Sequence, residues 1–192
     1  MSSAVSANRR PSPSEAGDRE GVYNPATGER NFFELTADDS AGELLRFGWE
    51  LDPGGRVPLH IHPNQEETFH IHEGHVQFTL GWKHLSSGPG ESVTVPRATR
   101  HRFVNTTETL ARATVELRPA LNFQNFLETF AALARDGKTT RRGVPFNPAQ
   151  LSVVAHAYWN EFRSCFPPRT LQAILLPPGA WLGRALGYRS RF

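Results

Sequence analysis

Two glycine-framed segments constrain this chain more than any other feature. The first reads Gly54-x5-His60-x-His62-x4-Glu67-x6-Gly74, and the second reads Gly90-x5-Pro96-x-Ala98-x2-His101-x3-Asn105. Alternate residues of a β-strand point to the same side, so His60 and His62 project together from one strand. Glu67 follows across a turn that Pro63-Asn64 favours, at the start of the partner strand. His101 comes from a distant strand, after Pro96 has punctuated the chain. Three imidazoles and one carboxylate suit one borderline divalent ion: Fe, Mn, Ni, Co, Cu or Zn. Four protein ligands leave coordination positions open on an octahedral ion, which distinguishes a reactive site from a closed structural one. A chain bearing this set has to bring separate strands together around one point.

The rest of the sequence up to about Leu117 is consistent with that demand. Short runs rich in Val, Phe, Thr and Leu are separated by Gly, Pro and Asn, the punctuation of an all-β domain. The predicted strands are 31–35, 43–52, 57–62, 67–73, 75–82, 92–95, 101–105 and 111–118. Pro53-Gly54-Gly55 and Glu73-Gly74 read as tight turns. Strands at this spacing predict a closed barrel or jelly roll, which also hides exposed edges. Within 43–52, Leu45, Phe47, Trp49 and Leu51 alternate with Arg46 and Glu50. Phe69, Ile71, Phe78, Leu80 and Phe103 are expected to line the barrel. The same parity argument places a second His-x-His, His70 and His72, on the outer face, and it selects Glu67 over Glu66 as the ligand. His75 and His84 are expected in turns or at strand ends, and His156 on the polar side of a helix.

On either side of the barrel the pattern changes. Residues 1–20 (MSSAVSANRRPSPSEAGDRE) are rich in Ser, Ala, Pro and charge, a composition that cannot offset its ordering entropy and predicts disorder. The barrel is expected over 21–118 and a helical extension over 119–192. Phe123, Phe126, Leu127, Phe130 and Ala134 fall on one helical stripe that Asp136-Gly137 ends. Asn147-Pro148-Ala149-Gln150 offers an N-cap, a first-turn proline and a capping-box glutamine, with Phe146 placed to staple onto Leu151. Leu151, Val154, Ala155, Tyr158 and Phe162 form the apolar face of that second helix. A third segment, 169–176, is expected to stop at Pro177-Pro178, followed by a short one from Trp181 to Leu186.

Bulk properties narrow the function classes. The formal charge is +2, and no Lys/Arg run with interleaved aromatics follows a nucleic-acid backbone, which argues against nucleic acid as a partner. A single cysteine, Cys165, rules out an intrachain disulfide and fits a reducing compartment. No stretch is apolar enough to span a bilayer, and no apolar segment follows Arg9-Arg10 as an export signal requires, so the expected location is the cytoplasm. The apolar surface of the C-terminal helices has four candidate partners: the barrel wall, the barrel mouth, a second copy in a homodimer, or a membrane surface; packing or a homodimer is expected.

The two half-motifs resemble the two signature motifs of the cupin superfamily, with Ala98 in place of the usual glycine of the second. The helical tail is similar to that of small bacterial single-domain (type-2) cupins. This resemblance implies a mainly β fold, the double-stranded β-helix or jelly-roll barrel, with C-terminal α-helices. It also implies His60, His62, Glu67 and His101 as ligands of one divalent transition metal. By analogy with single-domain cupins that keep all four ligands, the expected activity is that of a metal-dependent, dioxygenase-like oxidoreductase. Its substrate would be a small organic molecule, aromatic or otherwise hydrophobic, with Glu67 able to take a substrate proton. The alternatives are a redox-neutral metal-dependent isomerase, cyclase or lyase, and a non-catalytic small-molecule binding or sensory module.

Overall fold

The structure is a computed structural model and describes residues 21–192; the segment expected to be disordered, 1–20, lies outside the described residues. Two antiparallel sheets face each other. One runs in the order β1 (Val22–Asn24), β2 (Glu29–Leu35), β3 (Leu45–Leu51), β10 (Ala111–Arg118), β5 (Glu66–Glu73), β8 (Ser92–Val95). The other runs β11 (Arg163–Ser164), β4 (Arg56–Ile61), β9 (His101–Val104), β6 (Val76–Leu80), β7 (Lys83–Ser87). This is the mainly β jelly-roll barrel that the strand pattern predicts, with helices α1 (Phe123–Arg135), α2 (Pro148–Ala157) and α3 (Arg169–Ala185) after it.

Alternation builds the interior. Trp49 and Phe47 on β3 pair across to Ala113 and Val115 on β10, which pair in turn to Ile71 and Phe69 on β5. All six are buried. Large residues on the outer strands thus meet small or branched ones on the middle strand, which lets the layer fill without overpacking. Trp49, Phe69, Phe78 and Phe103 then interlock edge-to-face, with ring centroids 5.1–5.6 Å apart for Trp49–Phe69, Trp49–Phe103, Phe69–Phe103 and Phe69–Phe78. Arg46 and Arg112, of opposite parity, lie outside in ion pairs with Glu116 and with Glu50 and Glu73.

Two turns need a left-handed backbone. Gly74 has φ 72°, and a Cβ there would lie 2.8 Å from the Cα of Ala111, so only glycine fits. Ala98 adopts φ 58°. The alanine therefore keeps the glycine-like turn, at a cost of about 1–2 kcal/mol. Its N–H donates to the carbonyl of His62 at 2.8 Å, which ties the two half-motifs together.

The helical region departs from the sequence reading at several points. Asn147 does cap α2, its side chain accepting from the N–H groups of Ala149 and Gln150. The Gln150 side chain, however, donates to the carbonyl of Arg189 rather than closing a capping box, and Phe146 stays 65% exposed rather than forming a staple. The expected break at Pro177-Pro178 does not occur: both prolines sit inside α3. Proline removes a backbone donor and crowds the preceding turn, so tertiary contacts must hold this helix together. They do so through small residues. A Cβ on Gly179 would lie 2.6 Å from Oγ of Ser152, and one on Gly183 would lie 2.6 Å from Val153 and 2.8 Å from the carbonyl of Ala149. Close approach to α2 along that edge overrides the local preference of the prolines. The strands at Val22–Asn24 and Lys83–Ser87 were also not anticipated; Tyr23 of the first bonds Asp52, and the second carries charged or polar side chains on four of its five positions.

Candidate metal centre

Both sheets contribute to one cluster. His60 lies on β4 and is paired with His101 on β9, His62 follows the end of β4, and Glu67 comes from β5 in the facing sheet. All four side chains are buried, with exposures of 0–5%. Their candidate ligand atoms lie within 4.8 Å of one another. Nε2 of His60 is 3.2 Å from Nε2 of His62, and Oε2 of Glu67 is 3.5 Å from Nε2 of His62 and 3.2 Å from that of His101. Bonds of about 2.0–2.2 Å to a common ion would put adjacent donor atoms about 3 Å apart.

Hydrogen bonding fixes which atoms face inward. Nδ1 of His60 meets the carbonyl of Pro58 at 2.8 Å, that of His62 the carbonyl of Glu161 at 2.7 Å, and that of His101 the carbonyl of Thr99 at 2.9 Å. A carbonyl only accepts, so each Nδ1 carries a proton and Nε2 is the atom each ring turns inward. Between neutral rings, the contact of the Nε2 atoms of His60 and His62 sets one lone pair against another. Burial raises the Glu67 carboxyl, but His62 and His101 more than reverse this and hold it well below the usual carboxylate range. Desolvation, with His101 and His62 beside it, holds His60 well below the usual imidazole range. The result is a buried carboxylate facing three imidazoles whose Nδ1 protons all point away from it. Among the described residues, Oε2 of Glu67 and Nε2 of His101 have no hydrogen-bond partner. A divalent cation among these four inward-facing atoms would satisfy them all without a proton between them.

His60, His62 and Glu67 of the cluster line a cavity of about 40 Å³, together with Glu29, Trp49, Phe69, Phe103, Phe123 and Phe162, among others. Of these, Glu29 has no role assigned from the sequence, and Phe123 and Phe162 are expected from it only on the apolar faces of helices. Glu29 opens β2 and accepts from Nε1 of Trp49 at 3.1 Å. Burial raises its pKa to about 6, the Trp49 hydrogen bond partly offsets this, and the Glu67 charge adds to it. Phe162 stacks on His60 with centroids 4.7 Å apart and an interplanar angle of 17°. Phe123 meets His62 edge-on at 5.0 Å, and Phe126 stacks against both phenylalanines. The segment after α2 thus closes the barrel mouth. Glu161 supplies the carbonyl that orients His62, and Ser164 of β11 pairs with His60.

The remaining sequence-level candidates sort as parity predicts. His70 bonds Ser92 and His72 bonds Thr114 on the outer face, far from the cluster in orientation, and Glu66 is exposed. Asn105 is fully buried but structural: its amide donates to the carbonyls of Leu51 and Thr109, and its oxygen accepts from Thr107.

Fold and site together define a jelly-roll barrel in which four buried side chains suited to a metal ion converge from two sheets. The cupin domain model matches residues 47–115, the stretch that holds all four donors. No curated protein matches the chain. Among solved structures, an uncharacterized conserved protein with a double-stranded β-helix domain from Klebsiella pneumoniae is 15% identical, with TM-score 0.47, over 60% of this chain and 93% of that one. A predicted oxalate decarboxylase from Thermotoga maritima is 21% identical, with TM-score 0.46, over 47% of this chain and 80% of that one. A putative sugar phosphate isomerase from Acidithiobacillus ferrooxidans is 18% identical, with TM-score 0.47, over 57% and 74%.

Proposed function

We propose that His60, His62, Glu67 and His101 hold one divalent transition-metal ion and that the protein is a dioxygenase-like oxidoreductase acting on a small organic substrate. The observation that carries the metal reading is the convergence of four buried, inward-facing ligand atoms, with every Nδ1 proton committed to a carbonyl. When bound, such an ion supplies Lewis acidity and open coordination positions, and redox capacity if it is iron, manganese, nickel, cobalt or copper. The residues of the chain do the rest. The aromatic lining excludes water and favours an apolar substrate. The ionised Glu67 carboxylate is the catalytic candidate for taking a substrate proton. A cavity of about 40 Å³ admits ligands of only a few heavy atoms, so a larger substrate enters by displacing Phe162 from His60.

A second reading, redox-neutral isomerase, cyclase or lyase chemistry, is favoured by Glu29. A buried carboxyl titrating near 6 beside the cluster suits proton transfer near neutral pH. Elemental analysis of protein purified without a metal-affinity tag separates the two, followed by oxygen uptake with iron-, manganese- and nickel-loaded protein. The first reading expects about one redox-active ion per chain and substrate-dependent oxygen consumption across small diketones, catechols and flavonols. Zinc in the isolated protein, with no oxygen consumed by any loaded form, would leave the second.

A further inference from the structure

The C-terminal helix inverts the usual rule for a surface helix. Its small residues Gly179, Ala180 and Gly183 face α2, while Leu171, Ile174, Leu175, Trp181, Leu182 and Leu186 are 43–73% exposed. At 100° per residue these six fall within one stripe about 140° wide along the outer side of α3. Soluble chains seldom leave so continuous an apolar face in water, and one of this kind marks an interaction surface.

The charge around the stripe identifies its partner. From Gly137 to the end, the chain has eight lysines and arginines and one carboxylate, Glu161, so this segment carries +7 while the remainder carries −5. Glu161 is only 3% exposed and offers nothing to an approaching surface. Near-neutrality of the whole chain therefore conceals two oppositely charged regions. Arg169 and Arg184 lie within α3, and Arg189 and Arg191 just beyond it; all four are exposed. A two-fold contact of α3 with a second copy would set arginine against arginine with no exposed carboxylate in this segment to pair them. A head-to-tail contact with the acidic region of another copy would build rings or filaments rather than a closed dimer. An apolar stripe bearing an exposed tryptophan and flanked only by cations matches the interface of an anionic bilayer.

We propose that α3 is an interfacial helix that docks this protein onto anionic lipid surfaces, lying flat with its outer stripe among the acyl chains. At about 1.5 Å per residue the helix runs about 25 Å along the surface. Its arginines meet the lipid phosphates.

Co-sedimentation of the full chain with vesicles tests this directly, using phosphatidylcholine alone and phosphatidylcholine with phosphatidylglycerol. The expected result is at least about tenfold stronger binding to the anionic vesicles, weakened by high salt. Trp181→Gln with Leu182→Gln, both already exposed, should remove that binding while leaving the far-ultraviolet circular dichroism unchanged. Arg184→Glu should weaken it by at least about fivefold, the effect of roughly one interfacial charge. Equal binding to both vesicle types, or none to either, overturns the proposal. So does light scattering that shows an oligomer which Trp181→Gln dissociates, since the stripe would then belong to a second copy.

Discussion

Two regions of this molecule reverse the ordinary placement of side chains, in opposite senses. The barrel interior encloses three histidines and a carboxylate, and α3 turns leucines, isoleucine and a tryptophan to solvent. In the barrel, hydrophobic packing on both sheets is strong enough to carry the cost of buried polar groups, and those groups converge on one point. In α3, close approach to α2 demands glycine and alanine on the inner side, so the large residues have nowhere to go but out. On the readings proposed above, the first inversion would recruit an ion from within the fold and the second a surface from outside it. In both, the misplaced residues are better read as incomplete contacts than as tolerated defects.

The largest expected effect breaks the barrel side of this comparison. His101→Ala removes one of four inward-facing ligand atoms and should cost more than about 100-fold in metal affinity, read by metal titration of the purified protein. Either enzymatic reading then expects activity to be lost with the metal. A binding or sensory module would retain small-molecule affinity in the same variant, which makes this substitution the sharpest separation of catalysis from simple recognition.

Glu29 tests whether the buried polar set is balanced by its surroundings. Its pKa is raised from 4.5 to about 6, so between those values the folded state holds more protons than the unfolded one. Stability therefore falls as pH rises through that window, and the cost is fully present above about 6. Its size is about 2 kcal/mol, following from the shift of roughly 1.5 units. Glu29→Gln should raise the melting temperature at pH 8 and have little effect at pH 4.5. A variant less stable at pH 8 than the parent would show that the carboxylate's hydrogen bond to Trp49 outweighs its desolvation.

On the α3 side, Gly183→Ala sets propensity against packing. Alanine is the better helix former by about 1 kcal/mol. A Cβ there meets Val153 at 2.6 Å and the carbonyl of Ala149 at 2.8 Å, and an overpacked contact of this kind costs about 1–3 kcal/mol. The expected result is net destabilisation by chemical denaturation, with α3 cut sooner by protease. Stabilisation would mean that α3 is not pressed against α2.

The barrel was legible because its signals are short-range and periodic. Leu45, Phe47, Trp49 and Leu51 announce their face by alternation, and His60, His62 and Glu67 sit within eight residues under the same parity rule. What stayed hidden depends on distant partners. Glu29 becomes a site residue only because Trp49, twenty positions on, bonds it. Phe162 reads as helix packing until the chain beyond α2 is seen to fold across His60. The continuity of α3 through Pro177 and Pro178 follows from contacts with Ser152, Val153 and Ala149, which nothing in the local sequence signals.

The smallest expected effect is the strictest check of that parity argument. His70 and His72 repeat the spacing of His60 and His62, on a strand that itself carries Glu67. Spacing alone cannot tell the pairs apart; orientation does. The outer pair bonds hydroxyls of Ser92 and Thr114 at 2.8 Å each and stays accessible to water, so its polar atoms are satisfied without an ion. Replacing both with alanine should leave metal stoichiometry unchanged and shift stability by less than about 0.5 kcal/mol, as surface changes usually do. Loss of metal in that double variant would place the ion on the outer face and undo the assignment of the inner cluster. An unchanged stoichiometry, set beside the collapse expected for His101→Ala, would locate the ion by side-chain direction alone.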